Sequence, residues 1–174
     1  MVSGPTPFPA GCPGAAFDAT MIPGQELEPS ITVNRARPSN VVAAWIQDVG
    51  PDSSRTDVTA FSRDGGRTFG PPAQVHADGW KIAACPHRGG SVATDARGRL
   101  YAVWYTEGAE GRPDLLFASS ADGRRFSAPR RLHTAPGSIP DQARLAVDAS
   151  GRAWYITEGS LRLLHRAEAQ PPAG

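Results

Sequence analysis

Two short clusters hold much of the reactive chemistry of this chain: Cys85-Pro86-His87-Arg88 and Asp141-Gln142-Ala143-Arg144. A guanidinium is a planar fork that chelates a carboxylate through two parallel hydrogen bonds. Arg88 and Arg144, with His87, Asp141 and Gln142 beside them, could therefore bind an acidic or sugar ligand. The same arginines could instead form structural ion pairs with Glu28 or Asp141, because such pairs perturb charged groups as functional sites do. Tyr105 and Trp80 are the aromatic candidates for stacking on a sugar face. Cys85 and His87 put a thiolate and an imidazole two residues apart, but structural zinc takes four ligands. The remaining histidines, His76, His133 and His165, lack ligand spacing, so neither a metal nor a cofactor is expected.

The elements that must position these side chains repeat. Ser62-Arg63-Asp64-Gly65-Gly66-Arg67-Thr68-Phe69 recurs in shortened form as Ser120-Ala121-Asp122-Gly123-Arg124-Arg125-Phe126. Ser62 to Ser120 is 58 positions, Trp45 to Trp104 is 59 and Pro71 to Pro129 is 58, a coincidence of landmarks that marks a repeated fold unit. The first unit reads as four short strands, 28–33, 40–45, 57–61 and 72–76, and the second as 90–95, 100–104, 114–118 and 129–133. A third begins at Ala143-Arg144-Leu145-Ala146-Val147-Asp148, continues through Ala153-Trp154-Tyr155-Ile156-Thr157 and ends with Leu161-Arg162-Leu163-Leu164-His165. Asp148-Ala149-Ser150-Gly151-Arg152 mirrors Asp95-Ala96-Arg97-Gly98-Arg99 as a turn between strands. Short segments rich in Val, Trp, Tyr, Phe and Thr, punctuated by Gly, Pro, Asp and Asn, predict an all-β protein.

The segment 62–69 matches Ser-x-Asp-x-Gly-x-Thr-aromatic in full and resembles the Asp-box of the sialidase and BNR-repeat β-propellers. The second copy keeps Ser120, Asp122, Gly123 and Phe126, is one residue shorter, and has Arg125 where threonine would stand. In a hairpin corner, short polar side chains bond the local backbone, glycine takes positive φ, and the aromatic tucks inward. Ser62, Asp64, Gly66, Thr68 and Phe69, like their second-copy counterparts, thus read as structural, and the aspartates are not catalytic. The resemblance implies four-stranded antiparallel blades stacked around an axis. Its expected organisation is an irregular segment 1–25, blades over 26–167 (about 26–78, 87–136 and 138–167) and a disordered tail 168–174. Core packing between blades accounts for Trp45, Tyr101, Trp104 and Trp154.

Sialidases of this fold are usually six-bladed, and two full blades with most of a third are counted here. The chain is accordingly expected to be part of a longer propeller, with a ring closed by two copies as the alternative. Such sialidases hold the substrate carboxylate with three arginines and use a tyrosine nucleophile assisted by a glutamate, with an aspartate as acid/base. Their first arginine lies in an Arg-Ile-Pro motif on the innermost strand of the first blade. In Leu27-Glu28-Pro29-Ser30-Ile31 a glutamate holds that place and would repel the carboxylate it should bind. The expectation is therefore a glycan- or protein-binding propeller module that is not a competent hydrolase alone. The alternatives are an exo-sialidase or related glycoside hydrolase, and a structural or adhesion propeller.

Eighteen Lys and Arg against seventeen Asp and Glu give a formal charge of +1, which argues against nucleic acid as a partner. Arg124-Arg125 and Arg130-Arg131 read as a solvated strand face. No apolar run reaches membrane-spanning length, and Met1-Val2-Ser3-Gly4-Pro5 has neither the charged nor the apolar region of a signal peptide. The resemblance nevertheless implies an exported or periplasmic setting. Cys12 and Cys85 could form one disulfide if the compartment is oxidising.

Overall fold

The structure, a computed structural model, describes residues 27–48, 55–80, 89–132, 139, 143–157 and 160–165. Among these there is no helix. The strands are β1 (Leu27–Val33), β2 (Val41–Asp48), β3 (Arg55–Ser62), β4 (Ala73–Gln74), β5 (Ser91–Thr94), β6 (Leu100–Thr106), β7 (Asp114–Ser120), β8 (Arg130–Arg131), β9 (Arg144–Val147), β10 (Ala153–Thr157) and β11 (Ser160–His165). They form two four-stranded sheets, β1-β2-β3-β4 and β5-β6-β7-β8, and a three-stranded sheet, β9-β10-β11. All pairings are antiparallel and join sequence neighbours. The first segments lie outside the described residues, as do Cys12, Cys85 and the tail.

Ladder register fixes which residues are equivalent. Val41 pairs Ser62 as Leu100 pairs Ser120, and Val58 pairs Gln74 as Leu116 pairs Arg131. The β1–β2, β5–β6 and β9–β10 turns share one device, a short polar side chain that accepts from the backbone ahead of it. Asn34 Oδ1 accepts from Ala36 and Arg37 N–H, Asp95 Oδ1 from Arg97 and Arg99 N–H, and Asp148 Oδ1 from Ser150 and Arg152 N–H. Asp95 also accepts from the Tyr101 hydroxyl at 3.3 Å, and Asp148 from the Trp154 indole at 3.1 Å. Trp45 and Trp104 share a register position, whereas Trp154 aligns with Tyr101. Tyr101 and Trp104 are three residues apart, and in the period-two alternation of a strand an odd offset puts a side chain on the other face.

The sheets stack through their apolar faces. Every residue of β6 is buried, with Leu100, Ala102 and Trp104 packing against Val42, Ala44 and Val92 in one seam. Tyr101 and Val103 point the other way, into a second seam with Leu115, Phe117, Ala143 and Tyr155. The first strands of successive sheets are joined by serine hydroxyls. Ser30 Oγ accepts from Val92 N–H at 3.4 Å, and Ser91 Oγ accepts from Leu145 N–H at 3.0 Å. Arg144 holds the equivalent position in β9 and is exposed. Ile31 and Val33 on the far face of the first sheet, and Ile156 on the far face of the third, are 67%, 47% and 49% exposed.

Candidate functional site

The two ends of the sheet stack carry different chemistry. At one end lie the corners between β3 and β4 and between β7 and β8. In the first, the Ser62 hydroxyl donates to Asp64 Oδ1 at 2.7 Å and accepts from Gly66 N–H at 2.9 Å. Asp64 also accepts Thr68 N–H at 2.9 Å and the Thr68 hydroxyl at 2.6 Å. These bonds hold the Asp64 carboxyl well below the usual carboxylate range. In the second corner Ser120 donates to Asp122 at 3.0 Å and accepts from Gly123 N–H at 2.9 Å. Asp122 Oδ1 takes Arg124 and Arg125 N–H, each at 2.8 Å, which lowers its pKa to about 2. The shorter copy thus closes with one glycine, and Arg125 contributes its backbone where Thr68 contributes backbone and hydroxyl. Phe69 and Phe126 are both partly buried. These hydrogen bonds close each corner within its own segment of chain, and those of Asp122 fall on Oδ1.

At the opposite end, Asp57 of β3 lies against Gly90, the residue before β5. Asp57 is 6% exposed and accepts Gly90 N–H at 3.2 Å. Burial, with the Asp78 carboxylate as the second cause, pushes its pKa up to about 8. Its register counterpart is Leu115, since Val75 N–H bonds Asp57 O as Leu132 N–H bonds Leu115 O. Gly90 likewise corresponds to Ala143, each preceding the first residue of its strand. One seam therefore carries an apolar Leu115/Ala143 pair where the other carries an acid against a glycine. A Cβ at Gly90 would lie 2.5 Å from Asp57 Oδ1, so the carboxyl occupies the space a side chain would need. Asp78 accepts from the Trp104 indole at 3.2 Å and from Trp80 N–H at 3.3 Å.

Of the residues expected to bind ligand, His87, Arg88, Asp141 and Gln142 lie outside the described residues. Arg144 is exposed at the first residue of β9. Tyr105 is 3% exposed and Trp80 5%, and their rings meet edge-on with centroids 5.6 Å apart. The Tyr105 hydroxyl donates to Glu107 at 2.8 Å. These two rings are packed against each other and offer no free face to a sugar, which corrects their reading as stacking platforms: burying two large rings is favoured over leaving them in water. Trp80 Nε1 is buried and has no hydrogen-bond partner among the described residues. The arginine pairs after the second corner are exposed, with Arg131 bonded to Asp114 at 2.6 Å and Arg130 over the Phe117 ring. Asp57 and Asp78 were not singled out from the sequence. The signal that could have found Asp57 is its alignment with Leu115, visible only once the one-residue offset between the repeats is resolved. Among the described residues no cluster of His, Cys, Asp and Glu could hold a metal ion, and no helix is long and apolar enough to cross a membrane.

These features define an all-β protein of repeated antiparallel sheets in register, with structural corners at one end and ionisable groups at the other. Among solved structures, the chain is similar to one titled Hadza microbial sialidase Hz136, at 14% identity and a TM-score of 0.53. The likeness covers 73% of this chain and 31% of that protein, so the chain spans about a third of the sialidase's length. The shared property is the fold, which is sialidase-like. No family model matches the chain, and no curated protein does.

Proposed function

We propose that the chain is a section of a sialidase-like β-propeller with Asp-box corners, and that it binds an acidic glycan at the ends of its inner strands. The observation that carries this reading is Arg144. Its position holds the linking serine in the two preceding inner strands, Ser30 and Ser91, whose hydroxyls accept from the next strand. A guanidinium has five donors and no acceptor, so Arg144 cannot make that link. Its exposed fork is instead suited to a carboxylate. Arg88, His87 and Asp141 belong to the same chain ends in this reading, with Tyr105 as a packed support. Glu28, in the place where the resembling enzymes carry an arginine, would repel a carboxylate, so in this reading the acid group is met at Arg144 and the enzymes' three-arginine scheme for hydrolysis is incomplete. Fold likeness alone does not assign an activity.

Calorimetric titration with sialyllactose tests the reading. Affinity should fall at least about tenfold in an Arg88→Ala/Arg144→Ser variant, the loss expected for charge-assisted hydrogen bonds. Unchanged affinity overturns it. Release of fluorophore from a fluorogenic sialoside, abolished by Arg88→Ala, would replace the binding module with an exo-sialidase.

A further inference from the structure

The seam between the first two sheets opens, at its corner end, into a cleft of about 270 Å³. Phe61, Arg63, Thr68 and Pro71 line one wall, and Asp122 and Arg124 the other. The first wall comes from the first corner and the second from the next, so the cleft exists only where two sheets stack. Its charges are not spent on one another. Among the described residues the only contact of the Arg63 guanidinium is over the Phe61 ring, 5.3 Å from its centroid. Arg124 uses its backbone N–H on Asp122, and no described residue forms an ion pair with its guanidinium. Asp122, which lines the cleft, receives its three hydrogen bonds on Oδ1 and keeps Oδ2 as an acceptor.

We propose that this cleft is a binding site for a small hydroxylated carboxylate of sugar-acid size, distinct from the inner-strand site at the opposite end. Two guanidinium groups supply the anion-binding forks. Asp122 Oδ2 accepts ligand hydroxyls, and the Phe61 edge and Pro71 supply the apolar wall that ligand sites combine with a few placed polar groups. Two positive charges against one negative match a monoanion. A phosphate dianion would meet the Asp122 carboxylate as a repulsive neighbour, and a neutral sugar would leave both arginines unpaired.

The probe is D-glucuronate, with glucose and the methyl ester of glucuronic acid as neutral counterparts, titrated by calorimetry. Glucuronate should bind and both neutral sugars should not. An Arg63→Ala/Arg124→Ala variant should weaken glucuronate at least about tenfold, as expected for losing charge-assisted bonds. All titrations use the Arg144→Ser protein as the parent, which removes the guanidinium of the inner-strand site at the other end of the sheets and leaves the cleft arginines in place. Both mutated arginines are exposed, so circular dichroism of the double variant should match the parent protein. No heat with glucuronate up to about 10 mM, well above the millimolar affinity of even a weak sugar site, overturns the proposal. Equal affinity in the double variant, or equal binding of glucose, does so as well.

Discussion

Replacing Asp57 by asparagine should raise the stability of the protein at neutral pH and remove much of its decline with rising pH. The folded-state pKa of Asp57 is about 8, against 3.8 for the free side chain. A raised folded value means that its contribution is fully present below the unfolded pKa and is lost as pH rises through the folded one. Between about pH 4 and pH 8 the native carboxyl holds a proton that the unfolded chain has released, so stability falls by about 1.4 kcal/mol per pH unit. From about pH 5 to pH 7 that amounts to about 3 kcal/mol, which at a urea m value of roughly 2 kcal/mol per M is about 1.5 M in midpoint. In the Asp57→Asn variant the side-chain amide keeps an oxygen for Gly90 N–H, which lies 3.2 Å from the native carboxyl, and fills the same volume without a charge. Urea unfolding followed by tryptophan fluorescence at pH 5, 6 and 7 measures both proteins. The difference between their midpoints isolates Asp57, because all other titrating groups are common. Midpoints that move in parallel would refute the reasoning, since they would mean that Asp57 is ionised in the folded state.

The corner and turn aspartates act with the opposite sign. Hydrogen bonds hold Asp64 and Asp148 well below the usual carboxylate range and Asp122 at about 2, so their stabilisation is present above about pH 4 and is lost as pH falls toward 2. With Asp57 working the other way, thermal stability should peak near pH 4 to 5. An Asp64→Asn/Asp122→Asn variant should show a flatter acid limb in scanning calorimetry, and an unaltered limb would count against the assignment. Gly66 and Gly123 both have positive φ, 87° and 73°, yet a Cβ at Gly66 meets open space while one at Gly123 comes 3.0 Å from Phe61 Cδ2. Gly66→Ala should therefore cost about 1 to 2 kcal/mol from backbone strain. Gly123→Ala should cost more, and equal losses in denaturant titration would show that Phe61 moves aside freely.

The sequence alone determined the local structure of this protein. The corners at 62–69 and 120–126 form as their residue types require, because Ser, Asp, Thr and Gly satisfy a tight turn from within a few residues of chain. The same holds for Asp95 and Asp148, and the strand segments follow from alternating apolar residues bounded by such turns. The tertiary structure decided what lay between the sheets. Asp57 and Asp114 look alike in sequence as acids opening a strand. Stacking buries Asp57 against Gly90, while Asp114 meets the exposed Arg131. Trp80 and Tyr105 read as available rings until packing turned them on each other. Arg63 and Arg124 are 61 positions apart and meet at one cleft only because two corners, each complete in its own segment, are carried side by side by adjacent sheets. Turn chemistry is local and so can be read along the chain. Burial and desolvation depend on which face of one sheet covers another, and the ladder register that fixes this is shared by repeats whose spacing along the sequence differs by one residue.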